Sequence, residues 1–172
     1  MNRSRGATIY DVMASPVGEL LLTAEDAGLT RVYFEQHVHG DRVAPDWQRA
    51  AGCTGRATEV LAEARRQLDA YFAGKLTSFR LELAPSGTPF QQRVWAALRG
   101  IAFGATVSYS EIARRIDAPD AVRAVGAANG RNPLSIIVPC HRVIGSNGSL
   151  TGFGGGIERK RWLLQHEGAL LL

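Results

Sequence analysis

A thiol and an imidazole stand side by side in the segment Pro139-Cys140-His141-Arg142, between two apolar stretches. A cysteine reacts as its thiolate, and a nearby base or positive charge favours that form. His141 could supply the base and Arg142 the charge. Neighbouring side chains of an extended strand point to opposite faces, so Cys140 and His141 can cooperate only if the chain bends, as Pro139 favours. The spacing predicts either a nucleophilic cysteine or a buried, inert thiol beside a surface histidine.

Three other segments could support such chemistry. Glu167 lies near the end of a helix-like segment and could orient His141 if that helix packs against the cysteine; otherwise it is a surface carboxylate. Asn132 begins the cysteine segment and would either satisfy a turn or brace a neighbouring loop. The glycine-rich residues 151–156 lack the spacing of a phosphate-binding loop. Their backbone could lie flat against a planar ligand, or they form a flexible loop.

Helical patterns surround these segments in the second half of the chain. Thr88 can cap a helix, Pro89 suits its first position and Gln91 completes a capping box, so we predict a helix over residues 89–101. Its buried face would carry Phe90, Val94 and Leu98. A second capping-box pattern, Ser108 with Glu111, opens a short helix with Ile112 and Ile116 on one face.

A turn at residues 117–119 separates this short helix from another over residues 120–129. The pair predicts either a helix-turn-helix or an ordinary helical hairpin. Arg123 is the one long side chain among small residues of the second helix, which are Ala121, Ala124, Gly126, Ala127 and Ala128. Such a surface suits a close fit that ignores base sequence, or close packing inside the core.

The first half of the chain has the pattern of an α/β domain. A strand, a pair of strands, a loop, a helix and a further strand are predicted over residues 8–13, 18–35, 36–55, 58–74 and 78–84. The pair would turn at Glu25-Asp26-Ala27-Gly28, and the helix would end at Gly74. Residues 84–89 read as a linker. We therefore predict two domains, residues 1–85 and residues 86–172.

Composition narrows the class of protein. The 172 residues are 45% hydrophobic, which is enough for a core, and no apolar run reaches the roughly 20 residues of a membrane span. The first ten residues are basic but precede no apolar signal segment, so we expect a cytoplasmic protein. Two cysteines, Cys53 and Cys140, are too few for a disulfide framework. A net charge of +4 is compatible with a polyanionic partner or with ordinary solubility.

The motifs together resemble the O6-alkylguanine-DNA alkyltransferases. "PCHRVIG" is similar to the active-site signature of that family, and the segments "FQQRVWAAL", "SYSEIA", "AVRAVGAANGRNP", "GFGGG" and "LLQHEG" match it in family order. The resemblance covers nearly all of residues 86–168. It is weaker in the first half, through "SPVGELLL" and "LDAYFAGK". It implies an N-terminal α/β domain, with an antiparallel sheet and one helix as in RNase H, and a mostly α-helical C-terminal domain that carries the helix-turn-helix and the cysteine.

The resemblance also implies roles for individual residues. Cys140 would accept the alkyl group, His141 would act as a base through a bridging water, and Glu167 would hold the imidazole. Asn132 would brace the active-site backbone, and Tyr109 would donate a proton to the leaving guanine. The implied DNA-binding residues are Arg123, which would fill the gap in the base stack, with Tyr109, Ser110, Ala124, Gly126 and Ser146. The implied base pocket comprises Val143, Ser135, Phe153, Gly154 and Gly155.

The implied reaction is single-use transfer of the alkyl group from O6-alkylguanine, or O4-alkylthymine, in double-stranded DNA to Cys140. The base would be flipped from the minor groove. The protein would act as a monomer, with cooperative DNA binding left open, and without a cofactor, a metal or a membrane. Phe153 and Gly154 stand where family members often have Tyr and some have Ser, which leaves the pocket width open. Two alternatives are a Cys–His hydrolase and a non-catalytic sensor of alkylated DNA, although such sensors replace the cysteine.

Overall fold

A computed structural model describes residues 6–37 and 42–170. The basic residues 1–5 and residues 38–41 of the predicted loop lie outside the described residues. The chain divides into two compact units. Of the described residues, the first unit contains 6–35 and 42–86. The second unit contains residues 36, 37 and 87–170. In the described parts, no helix combines the length and apolar character that crossing a bilayer requires.

A four-stranded sheet forms the first unit. Its strands are β1 (Ile9–Met13), β2 (Leu20–Glu25), β3 (Gly28–Phe34) and β4 (Gln48–Arg49), in the order β3-β2-β1-β4. β2 pairs antiparallel with both β1 and β3, and β4 is parallel to β1. The predicted hairpin is therefore confirmed, whereas the predicted loop over residues 36–55 also contains the short β4.

One helix, α1 (Arg56–Phe72), packs on this sheet. Its buried face repeats at helical spacing through Val60, Ala64, Leu68 and Tyr71, which is why the sequence pattern predicted it. Gly74 follows the helix with a φ of 74°, a left-handed conformation that glycine adopts without steric cost. The mainly antiparallel sheet with one helix agrees with the predicted class of the first domain.

The strand predicted over residues 78–84 is wrong. Only Leu83 forms a bridge, to Leu29 of β3, through hydrogen bonds that flank it. A Cβ atom built on Gly28 would lie 2.6 Å from the carbonyl oxygen of Glu82. The segment therefore contacts β3 at one point and does not pair along it. Without a row of backbone hydrogen bonds to β3, the alternating residues do not form a strand.

The described residues of the second unit form four helices and a two-stranded sheet. They are α2 (Pro89–Leu98), β5 (Val107–Ser108), α3 (Tyr109–Arg115), α4 (Val122–Gly130), β6 (Val143–Ile144) and α5 (Ile157–His166), with β5 parallel to β6. The capping box of α2 is present as predicted, with Thr88 and Gln91 bonded reciprocally. Phe90, however, is half-buried; Trp95 is buried instead and donates its Nε1–H to the carbonyl of Ala128 at 2.9 Å.

The helices α3 and α4 form the predicted helix-turn-helix pair. Ser108 caps α3 by accepting the Glu111 backbone N–H at 3.1 Å. The Glu111 carboxylate binds Arg114 and Arg115, so the second predicted capping box is only half formed. On α4, Val125 and Ala128 are buried, whereas Val122, Arg123, Ala124 and Ala127 are exposed. The helix therefore presents a smooth surface with one long basic side chain.

Candidate active site

Cys140 begins a single turn of 3₁₀ helix, Cys140–Arg142, that leads directly into β6. The apolar residues before it are not a strand, since Ile136 has a φ of 73° and the segment turns back on itself. The bend that Pro139 favoured is present. It brings the side chains of Cys140, His141 and Arg142 into the interior, where all three are buried.

Two asparagines hold the backbone of this turn. The Asn132 side chain donates to the carbonyl of Val138 at 2.8 Å and accepts the Leu134 N–H at 3.0 Å. Asn129, on α4, donates to the carbonyl of Cys140 at 3.4 Å. These bonds satisfy backbone groups that would otherwise be buried without partners, so they define the path of the chain at the cysteine. Asn132 lies where a brace for this backbone was expected.

Glu167, at the end of α5, lies between His141 and Arg142. Its Oε1 is 2.7 Å from His141 Nε2, and Arg142 donates to both carboxylate oxygens, at 2.8 and 2.9 Å. Burial raises the pKa of Glu167, but the hydrogen bonds from His141 and Arg142 and the charge of Arg142 outweigh it and lower the pKa to about 2. The carboxylate is therefore ionised, as required for a group that orients an imidazole and stabilises its protonated form.

Burial sets the protonation states of the two reactive groups. It raises the pKa of Cys140 above its usual value, although hydrogen bonding to Asn132 and the charge of Lys160 act in the opposite direction. Burial also lowers the pKa of His141, against the effect of Glu167. At neutral pH the site thus holds a thiol beside a neutral imidazole. Such an imidazole can accept a proton, which is the property a general base needs.

Arg142 does not act on the thiol as its position in the sequence suggested. Its guanidinium binds Glu167 and the carbonyl of Ile101, the latter at 2.6 Å. The positive charge that lowers the pKa of Cys140 comes from Lys160 of α5. Sequence reasoning missed Lys160 and the contact between Arg142 and Glu167. A signal existed, because Lys160, Leu163, Leu164 and Glu167 share one face of α5 at the spacing of a buried stripe.

The residues of the expected base pocket are mostly buried. Val143 and Ser135 are fully buried, Phe153 and Gly155 are buried, and Gly154 lies against the imidazole of His37. Ser135 Oγ and His141 Nδ1 are buried and make no hydrogen bond within the described part of the chain. Buried polar atoms are usually paired, so each of these two atoms can bond to water or to a bound molecule.

Tyr109 opens α3 and connects it to the glycine-rich loop. Its hydroxyl donates to the carbonyl of Thr151 at 2.9 Å, and burial raises its pKa. The hydroxyl therefore keeps its proton at neutral pH and is a hydrogen-bond donor. A Cβ atom built on Gly126 would lie 3.9 Å from the Tyr109 ring, so α4 passes close to this side chain.

The other expected DNA-binding residues lie on the surface around α3, α4 and β6. Arg123 and Ala124 are exposed on α4, and Ser146 is exposed in the turn after β6. Ser110 is half-buried, and its hydroxyl is 2.9 Å from that of Ser108. Among the residues that the structure describes, no three His, Cys, Asp or Glu side chains are grouped as metal ligands.

Known proteins match both halves of this chain. Residues 89–169 match the family model described as 6-O-methylguanine DNA methyltransferase, DNA binding domain, and residues 8–85 match the ribonuclease-like domain of the same family. A methylated-DNA–protein-cysteine methyltransferase of Methanosarcina acetivorans is 48% identical over 160 residues, which cover 93% of this chain and 98% of the relative. One from Mycobacterium leprae is 51% identical, over 90% of this chain and 89% of the relative.

A solved structure agrees with these matches. The structure of Mycobacterium tuberculosis OGT in complex with DNA superposes with a TM-score of 0.82 at 48% identity, covering 94% of this chain and 93% of that one. The two family models together span nearly the whole chain, and the segment around Cys140 lies within the DNA-binding one. The chain belongs to the 6-O-methylguanine DNA methyltransferase family.

Proposed function

We propose that this protein repairs alkylated DNA by direct reversal, as a methylated-DNA–protein-cysteine methyltransferase. The observation that carries the proposal is the buried turn that joins Cys140 to His141, with Glu167 2.7 Å from the imidazole. Family membership supports the same activity, since curated relatives about half identical to this chain carry that name. The substrate is O6-alkylguanine in double-stranded DNA, and O4-alkylthymine is a second candidate lesion.

The transfer is a displacement at the alkyl carbon. His141 takes the Cys140 proton through a bridging water, and Glu167 stabilises the imidazolium that forms. The sulfur then forms a bond to the alkyl carbon while the bond from that carbon to O6 breaks. The leaving guanine takes a proton from Tyr109 and departs as a neutral base. The thioether has no facile reverse reaction or hydrolysis, so each molecule acts once.

DNA binding involves α3 and α4. A relative was solved in complex with DNA, and this chain carries the same fold. The small outward residues of α4 suit close approach to the minor groove, and the exposed Arg123 is long enough to fill the gap that a flipped base leaves. Flipping is required because the O6 substituent cannot reach a buried thiol from inside the duplex. Ser110, Ala124, Gly126 and Ser146 complete the proposed contact surface.

One chain carries the whole proposed site, so we assign the activity to a monomer, without a cofactor. The base pocket comprises Ser135, Val143, Phe153, Gly154 and Gly155. The reaction consumes a reduced thiol, and both cysteines are free. A reducing compartment such as the cytoplasm meets this need.

The proposal is tested by intact mass after reaction with a duplex that carries one O6-methylguanine. We expect a mass gain of one methyl group, mapped to the peptide that contains Cys140, and a plateau at one methyl per protein molecule. The same duplex with unmodified guanine is the control. No gain at saturating substrate would refute the proposal, and continued turnover beyond one equivalent would indicate a hydrolase-like enzyme instead.

Replacing Arg123 with alanine should impair the reaction in duplex DNA far more than the reaction with free O6-methylguanine base. The expected loss in duplex DNA is about 10-fold to 100-fold, since an unfilled gap leaves the few kcal/mol of unstacking uncompensated. Single-turnover rates with the two substrates provide the comparison. Arg131→Ala serves as a control for loss of one positive charge. An equal loss with the free base would exclude the stack-filling role.

A further inference from the structure

The loop of residues 151–156 carries three residues of the proposed base pocket and is tied at both ends. At its start, the carbonyl of Thr151 accepts the hydroxyl of Tyr109, the residue that opens α3, at 2.9 Å. At its end, Arg159 of α5 donates to the carbonyl of Gly155 at 3.1 Å. The loop is therefore anchored to α3 and α5, and the contacts between these two anchors affect the shape of the pocket.

Gly154, in the middle of this loop, lies against a ring from a distant part of the sequence. A Cβ atom built on Gly154 would lie 2.7 Å from Nε2 of His37, 3.2 Å from its Cδ2 and 3.4 Å from its Cε1. These three atoms form one edge of the imidazole, so the ring fills the volume that a side chain at position 154 would take. His37 follows β3 along the chain, but by its contacts it belongs to the second unit.

The imidazole limits the room at this position of the pocket loop. Phe153, the neighbour of Gly154, is 7% exposed, so the loop is packed against the protein and does not project into solvent. Packed interiors contain few voids, and removal of a packed ring leaves a space that the surroundings fill only in part. Loss of the His37 ring would therefore free room beside Gly154. The pocket then widens, because it extends into that space or because the glycine-rich loop moves into it.

We propose that His37 determines which alkyl groups the protein accepts: by occupying the side-chain position of Gly154, its imidazole keeps the base pocket narrow, so that O6-methylguanine is preferred over O6-alkylguanines with longer chains. The inference rests on the proposed function, since it concerns the substrates of the same pocket. It assigns the selectivity to the pair of His37 and Gly154, because the ring fills the space that the glycine leaves.

The test compares single-turnover transfer from O6-methylguanine and from O6-butylguanine, each placed in the same duplex. Both substrates react at a primary carbon, so the ratio of their rates reports the room for the chain. We expect His37→Ala to raise the butyl-to-methyl rate ratio by at least about 10-fold, since one methylene in a pocket is worth about 10-fold to 200-fold in discrimination. The methyl rate should change by less than about 3-fold, because a methyl group does not reach the space that opens.

Two further variants identify the cause of the change. His37→Phe keeps a planar ring of similar size, so its rate ratio should stay near that of the unsubstituted protein. The double substitution His37→Ala/Gly154→Ala places a methyl group where the ring was, so the ratio should fall back toward the original value. Gly154 is not in the left-handed region, and alanine therefore suits its backbone once the ring is gone.

His166→Ala is the matched control, since this histidine of the second unit stacks on Trp162 of its own helix, with ring centroids 4.9 Å apart. It should leave both rates unchanged. If His37→Ala fails to fold, as judged by circular dichroism, His37→Asn repeats the comparison with a smaller loss of volume, and its rate ratio should still exceed that of His37→Phe. An unchanged ratio in the smaller variants, or an equal rise in His37→Phe or His166→Ala, would overturn the inference. Failure of the unsubstituted protein to take up a methyl group would instead refute the proposed function.

Discussion

Replacing Cys140 with serine should abolish methyl uptake while DNA binding persists. A serine hydroxyl is a much weaker nucleophile than a thiol, and His141 is a weak base for deprotonating it. We therefore expect transfer to fall by more than about 1000-fold. The side chain is buried, and serine is close to cysteine in size, so the turn Cys140–Arg142 should keep its shape. Intact mass after prolonged incubation with methylated duplex measures the residual transfer.

Cys53 provides the matched control. It is a free thiol, half-exposed, whose sulfur lies 3.1 Å from the carbonyl of Arg49 in the first unit. Cys53→Ser should take up one methyl group at the normal rate. A methyl group found on Cys53, or on a Cys140→Ser protein, would show that the acceptor has been assigned to the wrong residue.

Of the substitutions proposed for this protein, Arg142→Met should cause the largest loss of unfolding free energy. It leaves the buried carboxylate of Glu167 without its cation, and breaking a buried pair in this way costs about 3–5 kcal/mol of unfolding free energy.

The pH dependence of the stability that Glu167 contributes has a defined sign. Glu167 has a folded-state pKa of about 2 against an ordinary 4.5, so it stabilises the fold above pH 4.5, and this contribution is lost as the pH falls toward 2. Removal of Arg142 raises the pKa of Glu167 and removes part of that acid sensitivity.

Urea unfolding at pH 7 and at pH 4 measures both effects. Arg114→Met is the comparison, because Arg114 forms an exposed pair with Glu111 on α3, and such pairs contribute about 0–1 kcal/mol. If Arg142→Met were no less stable than Arg114→Met at pH 7, the buried network would not hold Glu167 in the way described. A large loss of transfer should accompany the loss of stability, since His141 depends on the same carboxylate.

Features set by a few neighbouring residues were predictable from the sequence. The capping box of Thr88 and Gln91 lies within four consecutive residues. The sequence of α1 has apolar residues at helical spacing and a glycine just after the helix. The bend at Pro139 follows from the fixed φ of proline. The family signature, however, and not periodicity, indicated which residues share a site with Cys140.

Features that depend on distant partners were not predictable in the same way. Residues 78–84 alternate like a strand, yet they meet β3 at Leu83 alone. A local competition was missed as well: Glu111 has the spacing of a capping box, but Arg114 and Arg115 of the same helix bind its carboxylate. Lys160 has the spacing of the buried stripe on α5, but lysine is usually a surface residue, so its residue type opposed that signal. Its partners are backbone carbonyls, which no side-chain pattern reveals.

The burial of Cys140 has a consequence for how long an unreacted molecule lasts. Its side chain is almost inaccessible, and burial keeps its pKa above the usual value, so little thiolate is present at neutral pH. Soluble electrophiles and oxidants consume thiolates that they can reach. A single-use protein with an exposed, ionised cysteine would be inactivated by such compounds before it met a damaged base. Burial and protonation of Cys140 therefore protect the unreacted protein from soluble reagents. A base bound in the pocket can still react, because binding brings its alkyl carbon to the buried thiol.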